Sequence, residues 1–234
     1  MSTQSNNKSD TVGAVIVAGG TSRRMKGPNK LFTSLIGKPV LAWSVDACHR
    51  FNLVQQIVLV LNDNDFARGQ ILRRQRDWVK VTVCSGGGTR QDSVREGLRQ
   101  LDDCDWVMIH DGSRPFLTPD LIGDGLNTVG ETGAAVAAVP VKDTIKLSDS
   151  RSLIRETIER SQLWAAQTPQ IFSFDIITRA YGNLTAEITD DSAAVEQLGY
   201  KVKLYMGDYR NIKITTPEDL KLARIIAREW KQKN

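Results

Sequence analysis

Val12-Gly13-Ala14-Val15-Ile16-Val17-Ala18, followed at once by Gly19-Gly20-Thr21-Ser22-Arg23-Arg24, is the stretch from which the fold can be read. The first seven residues are almost wholly apolar, with no polar alternation. Such a run is a strand covered on both faces, which is the situation in a parallel sheet wrapped by helices. The glycines mark its carboxyl end, the edge on which open α/β sheets bind ligands.

Outward from this run the rhythm repeats. Ile57–Leu61, Val79–Cys84, Trp106–His110 and Ala134–Pro140 read as further strands. Amphipathic patterns over Val40–Arg50, Asp65–Arg76, Gln91–Leu101 and Thr118–Val129 alternate with them, and Thr118-Pro119 is a cap followed by proline at the first helical position. The expected fold is a three-layer, Rossmann-like α/β sandwich with a mostly parallel sheet. Residues 141–162 break the rhythm with two strand-like runs around Ser148-Asp149-Ser150, which predicts a protruding β-hairpin arm. A lone hairpin is marginal in water, so a second subunit is the expected cover. Helical patterns at Ser173–Tyr181 and Asp190–Leu198, strands at Lys201–Met206 and Ile212–Thr215, and a helix from Pro217 complete the chain. The expected organisation is a disordered tail (1–10), one main domain (11–140 with 163–234) and a dimerisation arm (141–162).

A chain of 234 residues can bury one substantial core. Its formal charge of +4 suits anionic ligands and equally describes a solvated surface. Lys and Arg are dispersed rather than clustered, so no nucleic-acid partner is expected. Cys48, Cys84 and Cys104 lie far apart and read as reduced thiols, and two histidines offer little for zinc. No segment approaches the ~20 apolar residues that span a bilayer, and the polar start lacks a signal-peptide core, so no membrane contact and a cytoplasmic location are expected.

Four groups carry chemistry. Ala18-Gly19-Gly20 through Arg24 to Lys30 supplies backbone N–H groups and cations for a polyphosphate, although a tight turn with surface arginines fits the same residues. It is neither GxGxxG nor GxxxxGK[ST]. Gly86-Gly87-Gly88-Thr89-Arg90-Gln91-Asp92-Ser93 reads as a glycine loop entering a helix, able to admit a base or ribose or simply to connect two elements. Asp111, in His110-Asp111-Gly112-Ser113-Arg114, suits a hard cation such as Mg²⁺ or an Asx-turn. His110 reads as a packed strand-end residue. Lys142-Asp143-Thr144, Glu159-Arg160-Ser161, Thr168-Pro169-Gln170, Thr189-Asp190-Asp191 and Lys213 are dispersed polar positions, each weak alone.

Together these segments resemble the 2-C-methyl-D-erythritol 4-phosphate cytidylyltransferase family. The resemblance is carried, in the family's order, by AVIVAGGTSRRM, GKPVLAWSV, GGGTRQDSV, VMIHDGSRP, VPVKDTIK, LWAAQTPQIF, ITDDSAAVEQLGY and NIKITTPEDLKLA. It implies transfer of CMP from CTP to a polyol phosphate with release of pyrophosphate, Mg²⁺ as cofactor, and a homodimer joined through the hairpin. By the same resemblance Ala18, Gly19, Gly20, Arg24, Lys30, Gly87, Ser93, Asp111 and Gly112 would hold CTP, with Asp111 beside the metal. Arg114, Thr144, Arg160, Thr168, Thr189 and Lys213 would hold the methylerythritol phosphate. Arg24, Lys30, Arg160 and Lys213 would be the catalytic set. Asn29 between Pro28 and Lys30, Ser22, Gly88 and the Gly112-Ser113 pair depart from the family's usual residues. A ribitol or other pentitol phosphate cytidylyltransferase is the alternative that shares most of these motifs.

Overall fold

The structure, a computed structural model, describes residues 10–20 and 30–233. Nearly all of the expected tail, and Arg24 with the rest of its loop from Thr21 to Asn29, lie outside the described residues.

β1 (Val12–Ala18) forms as expected and lies between β4 (Val54–Leu61) and β6 (Trp106–Asp111), parallel to both. Period-two geometry sends its side chains to opposite faces. Ala14 and Ile16 join one core cluster with Leu41, Val45 and Ile122, while Val15 joins a second with Val94, Leu98 and Ile177. Both clusters are built of buried apolar side chains, which is why the run shows no polar alternation. Two tiny strands, β2 (Ser34–Leu35) and β3 (Lys38–Pro39), pair with each other ahead of α1. α1 (Val40–Arg50), α2 (Asp63–Gln75) and α4 (Pro119–Val129) cover the first face; α3 (Arg90–Arg99), α5 (Phe174–Asn183) and α6 (Asp191–Gln197) cover the second. α3 sits close to β1 because Gly97 has no side chain: a Cβ there would fall 2.4 Å from Val15 Cγ1.

With β5 (Val81–Ser85), β7 (Ala134–Pro140), β10 (Trp164–Ser173) and β11 (Lys203–Met206), the described residues form a seven-stranded sheet of order β11-β7-β10-β6-β1-β4-β5. β10 alone runs antiparallel, between β6 and β7. No strand was expected there, because Gln167, Thr168, Pro169 and Gln170 interrupt the apolar pattern. The strand accommodates them with a register shift between Ala166 and Gln170. Conversely, Ile212–Thr215 is no strand. Its backbone bonds the loop after β6 once, Ile214 N–H to Ser113 O, while the Ile214 side chain is buried beside Phe116. Val79 is 71% exposed, so β5 starts two residues later than its apolar run suggests. β8 (Lys146–Ser148) pairs antiparallel with β9 (Ile154–Thr157) in a separate two-stranded sheet, every residue of which is exposed. α7 (Pro217–Lys233) packs Leu220, Ala223 and Ala227 against Val40 and Phe116. No helix among the described residues is long and apolar enough to cross a membrane.

At the amino edge of the sheet, remote from the ligand edge, one carboxylate ties three segments together. Asp46 of α1 accepts from Lys38 Nζ (2.8 Å), Arg76 Nε and Nη2 (3.0 and 2.5 Å) and Trp78 Nε1 (2.9 Å). Burial pushes its pKa up, but the bonds from Arg76, Lys38 and Trp78 outweigh this and hold it below the ordinary value. Removing a buried pair's anion costs ~3–5 kcal/mol, and the partly exposed Lys38 and Arg76 lower that figure. Asp46→Ala should therefore lose about 2–3 kcal/mol of unfolding free energy in urea at pH 7. Because the folded pKa is depressed, the wild-type advantage is complete above the ordinary Asp value of ~3.9 and fades as pH falls through it. A gap between the two proteins that stays constant from pH 6 to pH 3 would contradict this account.

Candidate active site

Three carboxyl-edge loops converge where β1, β5 and β6 end. Ala18-Gly19-Gly20 leaves β1, Gly86–Thr89 leaves β5, and Asp111 ends β6. Together with Lys30, Arg90, Ser93, Ser113, Lys213 and Thr215 they line a cleft of about 460 Å³. That size suits a small ligand. A larger hollow of about 1180 Å³ lies elsewhere, between α1, the start of α4 and the end of α7. It has aromatic walls at Trp43 and Trp230 but no glycine loop, so the chemistry points to the smaller cleft.

The sequence dictates how the Gly86–Thr89 loop is held. Thr89 and Asp92 form a reciprocal capping box, which starts α3 at Arg90. The loop lies flat on the helix because a Cβ on Gly86 would come within 2.5 Å of Ser93 Oγ, and one on Gly87 within 2.3 Å of Asp92 Cβ. Ser93 is itself buried and donates its hydroxyl to Thr89 O at 2.9 Å.

Asp111 is the electrostatic centre. Its carboxylate is 2.8 Å from Lys213 Nζ, 3.3 Å from Arg90 Nε and 3.5 Å from Arg114 Nε. Burial raises its pKa, but the charges of Arg90, Lys213 and Arg114 outweigh that and hold it far below the carboxylate range, so it is an anion at every working pH. Among the described residues it is the single acidic side chain lining the cleft, against Lys30, Arg90 and Lys213. The cleft therefore carries surplus positive charge for an anionic ligand.

The backbone around Asp111 is fixed by a buried relay. His110 Nε2–H donates to Arg114 O at 3.0 Å, since a carbonyl only accepts. Nδ1 must then accept, and the Thr168 hydroxyl donates to it at 3.0 Å. The same hydroxyl oxygen accepts from Asp111 N–H at 3.0 Å. Burial pushes His110 down to about 4, so it stays neutral and can play this part. The reading of His110 as a packed strand-end residue holds. Thr168 is only 4% exposed, and its hydroxyl is turned inward to this relay. Arg114 donates Nη1 to Asn211 O at 2.7 Å, joining the loop to the segment that carries Lys213.

Several expected residues sit apart from the cleft. Gly112 is packed against Leu41 and Ala18. Thr189 lies in a neighbouring shallow site with Arg90 and Gln91. Thr144 and Arg160 are exposed near the β8–β9 strands and do not line the cleft; Arg160 Nη1 donates to Lys142 O at 2.7 Å. Sequence reasoning overlooked Arg90, which reaches Asp111 on one side and Asp191 on the other. Its signal was the Thr89-x-x-Asp92 box, which puts position 90 at the helix start facing the cleft.

Among the described residues no three His, Cys, Asp or Glu side chains gather to cage a metal ion. Asp111, the single carboxylate that lines the cleft among the described residues, would fit Mg²⁺ bound with an anionic ligand, since that ion commonly takes one or two protein oxygens and completes its shell with ligand oxygens and water.

A doubly wound sheet with a glycine-lined, cationic cleft at its carboxyl edge defines a nucleotide-binding α/β protein. Comparison with known proteins narrows this class. The model of the IspD family, 2-C-methyl-D-erythritol 4-phosphate cytidylyltransferase, matches residues 12–229, and the chain belongs to that family. Its sequence is 46% identical over 221 residues to the cytidylyltransferase of that name from Dehalococcoides mccartyi, covering 94% of this chain and 97% of the relative. It is 42% identical over 226 residues to the one from Caldanaerobacter subterraneus, covering 93% and 99%. Among solved structures, the 4-diphosphocytidyl-2C-methyl-D-erythritol synthase of Anaerococcus prevotii superposes with a TM-score of 0.84 at 31% identity, over 94% of this chain and 96% of that one. The chain is thus a cytidylyltransferase of the non-mevalonate route, using CTP and 2-C-methyl-D-erythritol 4-phosphate.

If the Thr168 hydroxyl serves the relay, its loss should be felt as stability. Thr168→Val removes the donor to His110 and the acceptor for Asp111 N–H while keeping the shape, and should cost about 1–3 kcal/mol. Thr168→Ser should restore most of it. Equal denaturation midpoints for wild type and Thr168→Val would refute the relay.

Proposed function

We propose that the cleft takes the CTP, with Ala18, Gly19 and Gly20 presenting backbone to the triphosphate and Gly87 and Ser93 shaping the cytidine side. The observation that carries this is the convergence of two glycine loops with Lys30, Lys213 and Asp111 in one cleft. In the reaction a phosphate-monoester oxygen of the polyol substrate attacks the α-phosphorus of CTP. The P–O bond to the β-phosphate breaks, and pyrophosphate leaves with the electron pair. The attacking monoester is already ionised near neutrality, so no strong general base is needed. Catalysis then rests on holding the reactants in line and neutralising charge.

In this reading Lys30 and Arg24 follow the charge that develops on the phosphates, and Lys213 turns from Asp111 toward the attacking phosphate. The 38% exposure of the Lys213 side chain leaves it room to do so. Arg114, Thr168 and Thr189 border the sugar-phosphate side, Thr168 through the position of its backbone. A Mg²⁺ ion, held by phosphate oxygens and water with Asp111 as the nearest protein carboxylate, would supply further charge neutralisation. The three cysteines are free, which suits a reducing cytoplasm.

The hairpin supports a homodimer. Leu147, Leu153 and Ile154 expose 48%, 56% and 65% of their surface, as much apolar surface as a two-stranded sheet can ill leave in water. A second copy would cover it, and the partner subunit's Thr144 and Arg160 would then reach this cleft.

Pyrophosphate release from CTP and Mg²⁺ with a panel of polyol phosphates tests the reading. Turnover is expected with 2-C-methyl-D-erythritol 4-phosphate; turnover only with ribitol phosphate would move the chain to the pentitol enzymes. Lys30→Ala should keep the fold and lose about 10²–10³ in kcat; wild-type turnover would remove Lys30 from the chemistry. Sedimentation at micromolar concentration should show a dimer, and a monomer would overturn the arm's proposed role.

A further inference from the structure

Arg90 occupies an unusual position in the cleft wall. It is the first residue of α3, immediately after the glycine loop, yet its strongest bonds point away from the cavity. Nη1 and Nη2 donate to Asp191 Oδ1 and Oδ2 at 2.9 and 2.7 Å, a bidentate pair. Nε reaches back to Asp111 Oδ1 at 3.3 Å. Asp191, in the first turn of α6, is fully buried and also accepts the Tyr181 hydroxyl of α5 at 2.5 Å. Burial and the Asp191 charge push the Tyr181 phenol well above its ordinary value, so it remains a donor throughout. A second tie runs parallel: Ile188 N–H donates to Gln91 Oε1 at 3.3 Å.

The Arg90 guanidinium thus joins β6, through Asp111, to α6, through Asp191; Asp191 is held in turn by Tyr181 of α5, and the backbone of Arg90 continues directly from the Gly86–Thr89 loop. The nucleotide side of the cleft is made from the first two, which share no backbone hydrogen bond in the sheet because β4 and β1 lie between their strands. Arg90 spans that gap. With two of its three nitrogens engaged on Asp191, its planar fork is oriented and its rotamer fixed before any ligand arrives.

We propose that Arg90 is a positioning residue for the nucleotide: anchored by Asp191 and Tyr181, it sets the distance between the glycine loop and the Asp111 carboxylate. It acts through those two groups and does not grip the reacting phosphates. This rests on the assignment of the cleft to CTP.

The role predicts a loss of CTP binding rather than of chemistry. Arg90→Lys keeps the charge but cannot make the fork, and should raise KM for CTP about tenfold while kcat at saturating CTP and KM for the methylerythritol phosphate stay within about threefold. Tyr181→Phe removes a single donor to Asp191 and should raise KM for CTP about threefold with the fold intact. Direct CTP titration by calorimetry should show the same losses. In a cycle of Arg90→Gln, Asp191→Asn and the double variant, the double should bind CTP no worse than the weaker single, because the pair acts as a unit.

Wild-type CTP affinity in Tyr181→Phe and Arg90→Lys, with only their melting temperatures lowered, would reduce the clamp to a structural tie and overturn the proposal. A fall in kcat with unchanged CTP affinity would do so too, by making Arg90 a phosphate ligand. Additive losses in the cycle would overturn the anchoring by Asp191. If Arg90→Lys does not fold, Tyr181→Phe alone decides between these outcomes. Failure of the wild-type protein to bind CTP would instead count against the assignment of the cleft.

Discussion

A carboxylate buried at the end of β6 and surrounded by Arg90, Arg114 and Lys213 is the constraint on which the site depends. Taking one anion out of water is costly, and cations from separate parts of the chain offset the cost. Arg90 comes from the start of α3, Arg114 from the loop after β6, and Lys213 from the segment bonded to that loop. Asp111 thereby gathers distant stretches of sequence onto one edge. The cations Lys30, Arg90 and Lys213 that line the cleft outnumber Asp111, so among the described residues the lining keeps a positive excess.

The backbone of Asp111 is held by neutral groups. His110, Thr168 and the Arg114 carbonyl form a buried chain of hydrogen bonds that ends on the Asp111 N–H. Cations bond the carboxylate, and neutral dipoles hold the backbone that carries it.

Much of this was legible in the sequence where local pattern and global fold agree. The apolar β1 run, the alternating helices and the glycine loops each follow from local rules, and all lead to the sheet that forms. The strand β10 escaped because its middle is polar: Gln167, Thr168 and Gln170 are buried for their tertiary hydrogen bonds, which no periodicity announces. Ile212–Thr215 failed in the other direction, since one buried isoleucine imitates a strand while the segment makes a single backbone–backbone bond and is otherwise held through Lys213 on Asp111 and Thr215 on Asp219. Arg90 lies within the glycine-loop motif, where the sequence alone assigns it no role. Its importance comes from Asp191, a hundred residues away, and only the fold reveals that meeting.

The reversal of β10 has a topological consequence. A parallel connection from β7 would have to cross back over the sheet before re-entering it, consuming a dozen residues or more. An antiparallel neighbour needs only a turn, so the chain between Pro140 and Trp164 is free of any bridging duty. It leaves and rejoins the sheet at the same rim. Residues added or removed there in opposed pairs change how far the excursion extends, yet leave the register of every sheet strand untouched. The reach of the arm can thus be altered by insertion and deletion while the pairing of β7 with β10 is held constant.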